Sequence, residues 1–234
     1  MEMYDQISKP RIPLYEQVAG ILEEFIIEQG VEGLRLPSEH ELTIQYKVSR
    51  TVIREALKLL KERGLVSMRV GDGLYTTRPA NALNSVMSRI ARFDKIDDEQ
   101  ITAVRQMLET ASIKEAVRVA SDRDFDLLET INQAMAIHMD DNEKRAALDY
   151  QFHYTLSKIC KNELLTNMVE SIMGVLQDYI KRRLIIYPEG NLQGIEEHSK
   201  IIEALRARDE KKVTKLITKH IKSSYIQYPK ISNK

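Results

Sequence analysis

The chain has 234 residues, 43% of them apolar, and its 35 basic side chains are balanced by 35 acidic ones. This length allows one large domain or two modest ones, and the zero net charge excludes a protein drawn to nucleic acid or membrane by its overall charge. The single cysteine, Cys160, excludes an internal disulfide framework and a cysteine-based zinc site, as expected in a reducing cytosol.

Glycine and proline are concentrated in the first third of the chain. Between 80 and 186 there is no proline and only one glycine, Gly174. This uneven punctuation predicts two domains, 1–79 and 80–234. The N-terminal residues have no apolar core of signal-peptide length, and no run of 18 apolar residues occurs anywhere. We therefore expect a cytoplasmic protein without a membrane span.

The first domain begins with two predicted helices. Apolar residues recur at helical spacing and predict an amphipathic helix over 13–28; they are Leu14, Val18, Ile21, Leu22 and Phe25. A second helix is expected from Ser38 to Tyr46, because Ser38 is a favourable N-cap and Glu41 completes a capping-box pattern.

A third helix and a hairpin follow. Ser49 is again a favourable cap, and the helix should continue through Arg63 until Gly64 ends it. Two short extended segments, 65–69 and 74–77, are separated by Val-Gly-Asp-Gly, which is a hairpin signal. Only Lys47 and Val48 separate the second and third helices. This order predicts a helix-turn-helix with a small β-hairpin wing.

The second domain shows helical periodicity throughout. Seven helices are predicted, over 81–93, 98–121, 124–140, 143–160, 163–186, 193–207 and 210–227. The expected fold class is therefore mainly α, a winged helix-turn-helix followed by an all-α bundle of about seven helices.

The third helix and the hairpin carry a local positive charge that the neutral total conceals. The segment from Lys47 to Arg69 has seven basic and two acidic residues, whereas residues 1–46 have three basic and nine acidic ones. Phosphate contacts need such a patch and make binding depend on salt. Within it, Arg50 and Arg54 can bond bidentately to guanine, and Ser49 and Thr51 can reach phosphates or base edges. The alternative is a solvated cationic face on an ordinary surface helix.

The stretch RLPSEHELTIQYKVSRTVIREALKLLKERGLV, residues 35–66, resembles the DNA-binding domain of the GntR family. The matching residues are Leu36, Pro37, Ser38, Glu39, Ser49, Arg50, Arg54, Glu55, Ala56, Leu57, Leu60, Gly64 and Leu65, and Pro13-Leu14-Tyr15 and the Gly71-x-Gly73 wing are also similar. The resemblance implies a bacterial transcription factor that binds double-stranded operator DNA. The DNA-binding residues implied are Ser38, His40, Ser49, Arg50, Thr51, Arg54, Arg69, Gly71 and Gly73. His40 departs from the family, since most members have an arginine there, and neutral imidazole binds phosphate less well than guanidinium.

Three histidines of the second domain fall on predicted inward helix faces. Asp149 and His153 are four residues apart and share one face. His198 lies on a stripe with Ile201 and Leu205, and His220 lies on a stripe with Val213 and Ile217. One carboxylate and three imidazoles suit Zn²⁺ or another first-row divalent ion. Each of the four taken alone is more often a buried core or boundary residue.

The helical region resembles the FCD domain of FadR-type GntR regulators. FCD domains of the metal-binding kind have Asp-x-x-x-His on one helix and one histidine on each of the last two, a pattern that Asp149, His153, His198 and His220 match in order. The resemblance implies a divalent metal at these residues, with Zn²⁺ favoured and Ni²⁺ and Mn²⁺ as alternatives.

Arg105 is the candidate for binding an effector. It shares a helix face with Ile101 and Leu108, and an unpaired buried arginine is costly. One interpretation is an ion pair with Glu109 at i,i+4; the other is a guanidinium that clamps a carboxylate. The resemblance favours the clamp, implies a small organic acid such as a hydroxy acid, sugar acid or dicarboxylate, and adds Asn162 to the effector site.

Three hypotheses about function follow. The first is a homodimeric, ligand-responsive regulator, since two half-sites need two-fold symmetry, and a repressor is favoured. The second keeps the regulator but makes the metal structural, or lets the four residues bind the organic ligand directly. The third is a metal-dependent enzyme, which we do not expect, because no His-Glu-x-x-His motif places a general base.

Overall fold

The computed structural model describes residues 12–69, 71–186 and 192–226. The N-terminal residues 1–11, for which we expect no signal peptide, and the predicted end of the last helix at 227 lie outside these ranges. The chain divides into two compact units, Met1–Leu83 and Asn84–Lys234. No helix in the described part is long and apolar enough to cross a membrane.

Before the helix that begins at Pro79, the described residues of the first unit form three helices and three short strands. These elements are α1 (Leu14–Gln29), β1 (Arg35–Leu36), α2 (Glu39–Tyr46), α3 (Arg50–Glu62), β2 (Val66–Arg69) and β3 (Gly73–Thr76). The predicted caps are present, because the hydroxyl of Ser38 accepts from the N–H of Glu41, and that of Ser49 accepts from the N–H of Val52. The predicted winged helix-turn-helix is confirmed.

The sheet has one strand that the sequence analysis does not predict. The strand order is β1-β3-β2, with both pairs antiparallel, so that β1 lies on the free side of the predicted hairpin. Arg35 pairs with Tyr75 and Leu36 with Leu74. A two-residue strand has too few positions to show alternation.

The predicted helix α1 is present, but its buried face differs from the predicted stripe. Val18 and Leu22 are buried, as expected, together with Ala19 and Ile26. Leu14, Ile21 and Phe25, which the prediction places on the same stripe, are between 41% and 53% exposed. The buried residues of α1 pack against α3 in a core that includes Ile53, Leu57 and Leu60.

The second unit is a bundle of helices, the first of which begins at Pro79, before the division between Leu83 and Asn84. Their bounds are α4 (Pro79–Phe93), α5 (Asp98–Val119), α6 (Asp122–Ile137), α7 (Asn142–Ile159), α8 (Glu163–Ile186), α9 (Leu192–Arg206) and α10 (Glu210–Ile226). Helix α5 packs against α7, α8 and α10, and α9 packs against α6 and α10. Phe125, Phe152, Leu156, Ile201 and Ile217 belong to its main core. This arrangement turns one face each of α5, α7, α9 and α10 toward a shared interior.

Candidate functional site

The predicted DNA-reading residues lie on an exposed surface of the first unit. Helix α2 ends at Tyr46, Lys47 follows it with φ of 54°, and Ser49 caps α3 two residues later. Ser49, Arg50, Thr51 and Arg54 are all exposed at the start of α3. The opposite face of α3 is buried in the core, so the chain presents the N-terminal turn of this helix to solvent, where a recognition helix contacts DNA.

Arg54 is held by an acidic residue of the preceding helix. Its Nε atom donates to Oε2 of Glu39 at 2.9 Å, while its side chain remains 66% exposed. Glu39 belongs to the matched Leu-Pro-Ser-Glu stretch, but no pattern in the sequence pairs it with Arg54, because the two are 15 residues apart.

The wing is fixed by its own side chains. Arg69 lies over the ring of Tyr75 at 4.3 Å, and the Tyr75 hydroxyl donates to Asp72 at 2.9 Å. Gly71 has φ of 75°, a conformation that glycine adopts without strain. Four predicted DNA-binding residues line one open cavity of about 380 Å³; they are Ser38, Arg69, Gly71 and Gly73. His40 lies on α2, two residues after Ser38, and is exposed.

In the second unit, the structure brings the four candidate metal ligands together. Asp149 and His153 come from α7, His198 from α9 and His220 from α10. One donor atom from each lies within 4.8 Å of all the others. The three imidazoles are buried, whereas the Asp149 side chain is 26% exposed.

The imidazoles meet through their Nε2 atoms. Nε2 of His220 lies 3.2 Å from Nε2 of His153 and 3.2 Å from Nε2 of His198. Oδ1 of Asp149 is 3.6 Å from Nε2 of His198 and 3.9 Å from that of His153. Imidazole nitrogen and carboxylate oxygen are the donor types that Zn²⁺ and other first-row divalent ions prefer.

Two glutamates bond to the outer nitrogens of this cluster. Oε2 of Glu109 on α5 is 2.6 Å from Nδ1 of His153, and Oε2 of Glu197 on α9 is 3.0 Å from Nδ1 of His220. A carboxylate beside Nδ1 accepts a hydrogen bond from it and so keeps the ring proton on that nitrogen. A ring held in this way can direct its Nε2 atom at the cluster, as a metal ligand requires.

The electrostatics keep these groups in the form that a metal needs. Burial by itself raises the pKa of Glu109, but Arg105 and His153 outweigh it and lower the pKa to about 2. The hydrogen bond with His220 is the main cause that lowers the pKa of Glu197 to about 2. Burial lowers the pKa of His153 and, together with the neighbouring histidines, lowers that of His198 well below its usual value. At neutral pH the carboxylates are ionised and both of these histidines are neutral.

Arg105 lies beside this cluster and forms the ion pair that the sequence analysis gives as its alternative. Its Nε atom donates to Oε1 of Glu109 at 2.5 Å, and the residue is only 5% exposed. Its Nη2 atom is buried and has no hydrogen-bond partner among the described residues. The ion pair thus uses one side of the guanidinium and leaves a buried donor for another acceptor.

Asn162 has a different position. It is exposed before α8, and its side-chain oxygen accepts from the N–H of Leu165 at 3.1 Å. This contact caps the first turn of α8. The structure does not bring Asn162 into the buried cluster.

The contacts of Glu109 and Glu197 with the histidines are not visible in the sequence. Helical spacing pairs Glu109 only with Arg105, and no spacing assigns a partner to Glu197. Both lie on helices that also carry a candidate site residue, which is the one signal available. Their contacts with His153 and His220 span 44 and 23 residues, beyond the reach of helical periodicity.

Two family models match the chain. The model of bacterial regulatory proteins of the gntR family covers residues 14–75, and that of the FCD domain covers residues 100–223. The HTH-type transcriptional regulator LutR of Bacillus subtilis (strain 168) is 28% identical over 180 residues, which are 75% of this chain and 82% of LutR. The HTH-type transcriptional repressor NanR of Citrobacter rodentium (strain ICC168) is 29% identical over 91% of this chain and 84% of NanR. The solved structure of Streptococcus agalactiae GntR is 25% identical, with a TM-score of 0.61 over 90% of this chain and 98% of that one.

Proposed function

Since the chain belongs to the GntR family of bacterial transcription regulators and has its FCD effector domain, we propose that it controls operator binding through a small carboxylic acid held at a divalent metal centre. GntR regulators bind operator DNA and FCD domains bind small-molecule effectors. The chain is a regulator and not an enzyme. The metal, the effector class and the homodimer belong to the proposal.

The observation that carries the proposal is the convergence of three Nε2 atoms and one carboxylate oxygen in a buried cluster. The donor set fits Zn²⁺, with Ni²⁺ and Mn²⁺ as alternatives. Four protein ligands can leave coordination positions for oxygen atoms of an effector when the ion accepts five or six donors. In this role the metal supplies a positive charge and a fixed geometry for those oxygens.

A carboxylate effector is supported by Arg105. Its unpartnered Nη2 is a buried cationic donor, and its charge contributes to lowering the pKa values of both His153 and His198. Glu109 bonds to both Arg105 and His153, so that one carboxylate separates the guanidinium from the cluster. Hydroxy acids, sugar acids and dicarboxylates carry a carboxylate for Arg105 and a further oxygen atom for the metal. The proposed effector site does not include Asn162.

The DNA-binding part of the proposal rests on the exposed start of α3. A two-fold dimer would place two copies of α3 on half-sites of one operator. Replacing Arg50 or Arg54 with alanine should weaken operator binding by about 1–3 kcal/mol for each hydrogen-bonded base that the arginine reads. A double variant that binds operator as tightly as the wild type would contradict this assignment. A repressor is the proposed mode, as the name of NanR states for that relative.

The test of the sensing part is thermal unfolding of the protein after chelation, after reloading with Zn²⁺, Ni²⁺ or Mn²⁺, and with L-lactate, D-gluconate or succinate. A ligand present at 100 times its Kd should raise the Tm by about 5–10 °C. We expect the metal to raise the Tm, and an acid to raise it further only in loaded protein.

The matched controls are His153→Ala, which removes a ligand, and His138→Ala, which lies outside the cluster. The metal-dependent rise should be lost in the first variant and kept in the second. If chelation leaves the Tm of the wild type unchanged, the proposal of a metal centre is wrong. If the metal raises the Tm but no acid adds to it, the ion is structural.

A further inference from the structure

Glu109 contacts both groups on which the proposed sensing depends. Its Oε1 accepts from Nε of Arg105 at 2.5 Å, and its Oε2 lies 2.6 Å from Nδ1 of His153. The residue is 2% exposed, so water does not compete for either contact. One carboxylate therefore holds the arginine and a candidate metal ligand at the same time.

Each oxygen of Glu109 has a separate effect. Oε2, which contacts Nδ1 of His153, keeps the ring proton on Nδ1. The Nε2 lone pair is then directed inward, and Nε2 becomes a stronger ligand atom for a metal. The oxygen on Arg105 fixes the guanidinium by its Nε side, so that Nη2 is the free donor. A change in the charge on one oxygen is felt at the other, because the two belong to one delocalised carboxylate.

We propose that Glu109 is a positioning residue shared by the metal and effector subsites, so that binding at one subsite alters binding at the other. This inference rests on the proposed function, since it needs both subsites. An acid that contacts Nη2 of Arg105 shares the positive charge of the guanidinium with Glu109, which leaves more of the Glu109 negative charge for His153. By thermodynamic linkage, the factor by which the acid changes metal affinity equals the factor by which the metal changes acid affinity.

Glu197 provides an internal comparison. It bonds to Nδ1 of His220 as Glu109 does to His153. Its other partners among the described side chains are Gln193, Ser223 and Lys219. Glu197 therefore orients a candidate metal ligand without contacting the arginine.

His198 differs from both other histidines, because its Nδ1 is buried without a partner among the described residues, and its ring stacks on Phe152 at 3.8 Å.

The first experiment measures Zn²⁺ affinity of the full chain by competition with a chromophoric chelator. Glu109→Gln and Glu197→Gln should each weaken binding by about 10- to 100-fold, because each removes the charge behind a histidine ligand. Glu196→Gln is the matched control, since Glu196 is 72% exposed and pairs with Lys200. Its affinity should stay within about twofold of the wild type, as for most surface substitutions.

The second experiment detects the connection to Arg105 without needing the effector. In protein labelled with ¹⁵N-arginine, the Nε–H signal of Arg105 is assigned by its loss in Arg105→Met. We expect this signal to shift when Zn²⁺ is added to the wild type or to Glu197→Gln, and to stay unchanged in Glu109→Gln. A merely structural role of Glu109 would not separate the two glutamate variants.

Glu109→Gln leaves a buried arginine without its anion, so this variant could fail to fold. The double variant Arg105→Met/Glu109→Gln removes the charge pair and should bind Zn²⁺ as weakly as expected for the single variant. Arg105→Met alone keeps the carboxylate on His153 and should retain most of the affinity.

Two results overturn the proposal and leave the metal centre in place. They are wild-type Zn²⁺ affinity in the variants that lack the Glu109 carboxylate, and an Arg105 signal that Zn²⁺ does not move in the wild type. Failure of the wild type to bind any Zn²⁺ overturns the proposed function and this proposal together.

Discussion

At the scale of single residues, the two predicted base-reading arginines differ. The guanidinium of Arg54 is held through Nε by Glu39, which leaves its two Nη groups for the paired acceptors O6 and N7 of guanine. Arg50 lies one turn earlier on α3 and forms no ion pair with the residues that the structure describes. Glu39 thus orients Arg54 before DNA arrives, although it also places a negative charge near the phosphates.

Glu39→Gln should therefore have two opposite effects on binding. Loss of the negative charge should strengthen binding to scrambled DNA, whereas loss of the ion pair should lower the preference for operator by about two- to fivefold. Fluorescence anisotropy with a selected operator and a scrambled duplex measures both. Glu55→Gln is the control, because it removes the same charge from α3 and leaves the Glu39–Arg54 pair intact. An unchanged preference in Glu39→Gln would show that the pair does not contribute to reading.

Helical spacing placed His198 and His220 on apolar stripes and put Asp149 and His153 on one helix face, and the resemblance to metal-binding FCD domains joined the four into one candidate ligand set. The sequence did not show which side chains bond to the outer nitrogens of these histidines. Whether Glu109 faces His153 depends on how α5 and α7 pack, and no pattern within either helix contains that information. The same applies to Glu39 and Arg54, which belong to different helices.

At the scale of the helices, capping residues account for where several of them begin. Helix α6 starts after Ser121, whose N–H and hydroxyl both donate to Oδ2 of Asp124 at 2.7 Å. The hydrogen bond from the hydroxyl is the main cause that lowers the pKa of Asp124. A carboxylate whose pKa is lowered by folding stabilises the folded state above its unfolded pKa, and this contribution is lost as the pH falls through the folded value.

Asp124→Asn should consequently lower the Tm by a few degrees at pH 7, where a cap interaction contributes about 1 kcal/mol. The difference from the wild type should become smaller below the ordinary aspartate pKa of about 3.9, because the unfolded wild type then takes up a proton, and the remainder should disappear as the pH falls through the lower pKa of the folded state. Thermal unfolding followed by circular dichroism from pH 7 to pH 3 checks this. Asp122→Asn, in the same turn, leaves the Ser121 contact intact and should show a smaller effect at pH 7.

The positions of the helices were predictable because the helical spacing of apolar residues repeats over many residues and because capping residues or glycines mark the helix ends. All seven predicted helices after 80 are present, with ends that differ by a few residues. Strand β1 was not predictable because its pairing with β3 is made by the fold and not by two residues of sequence. The predicted buried face of α1 lies partly on the wrong residues, since apolar side chains occur on both sides of this helix, and only contact with α3 decides which side is covered.

At the scale of the whole molecule, the two units have separate cores, and all the candidate metal ligands lie in one of them. Zn²⁺ should therefore raise the unfolding temperature of the helical unit and leave that of the DNA-binding unit unchanged. Differential scanning calorimetry of the full chain, with and without chelator, measures this directly. The shift should disappear in His153→Ala. If Zn²⁺ moves the whole heat-absorption curve to higher temperature by the same amount, the two units unfold together.

The distribution of charge also belongs to this scale. The formal net charge is zero, yet α3 and the wing carry the positive patch that phosphate contacts need. The composition alone would have argued against a nucleic-acid partner, and only the position of the charges along the chain corrected this. Total charge describes the molecule, whereas binding depends on one face of it.

The unequal burial of the four candidate ligands gives the centre a direction. The three imidazoles are enclosed by helices, and the side chain of Asp149 is the only one of the four that reaches solvent. The proposed centre therefore meets solvent at its carboxylate, while its imidazoles lie in the protein interior, away from competing water.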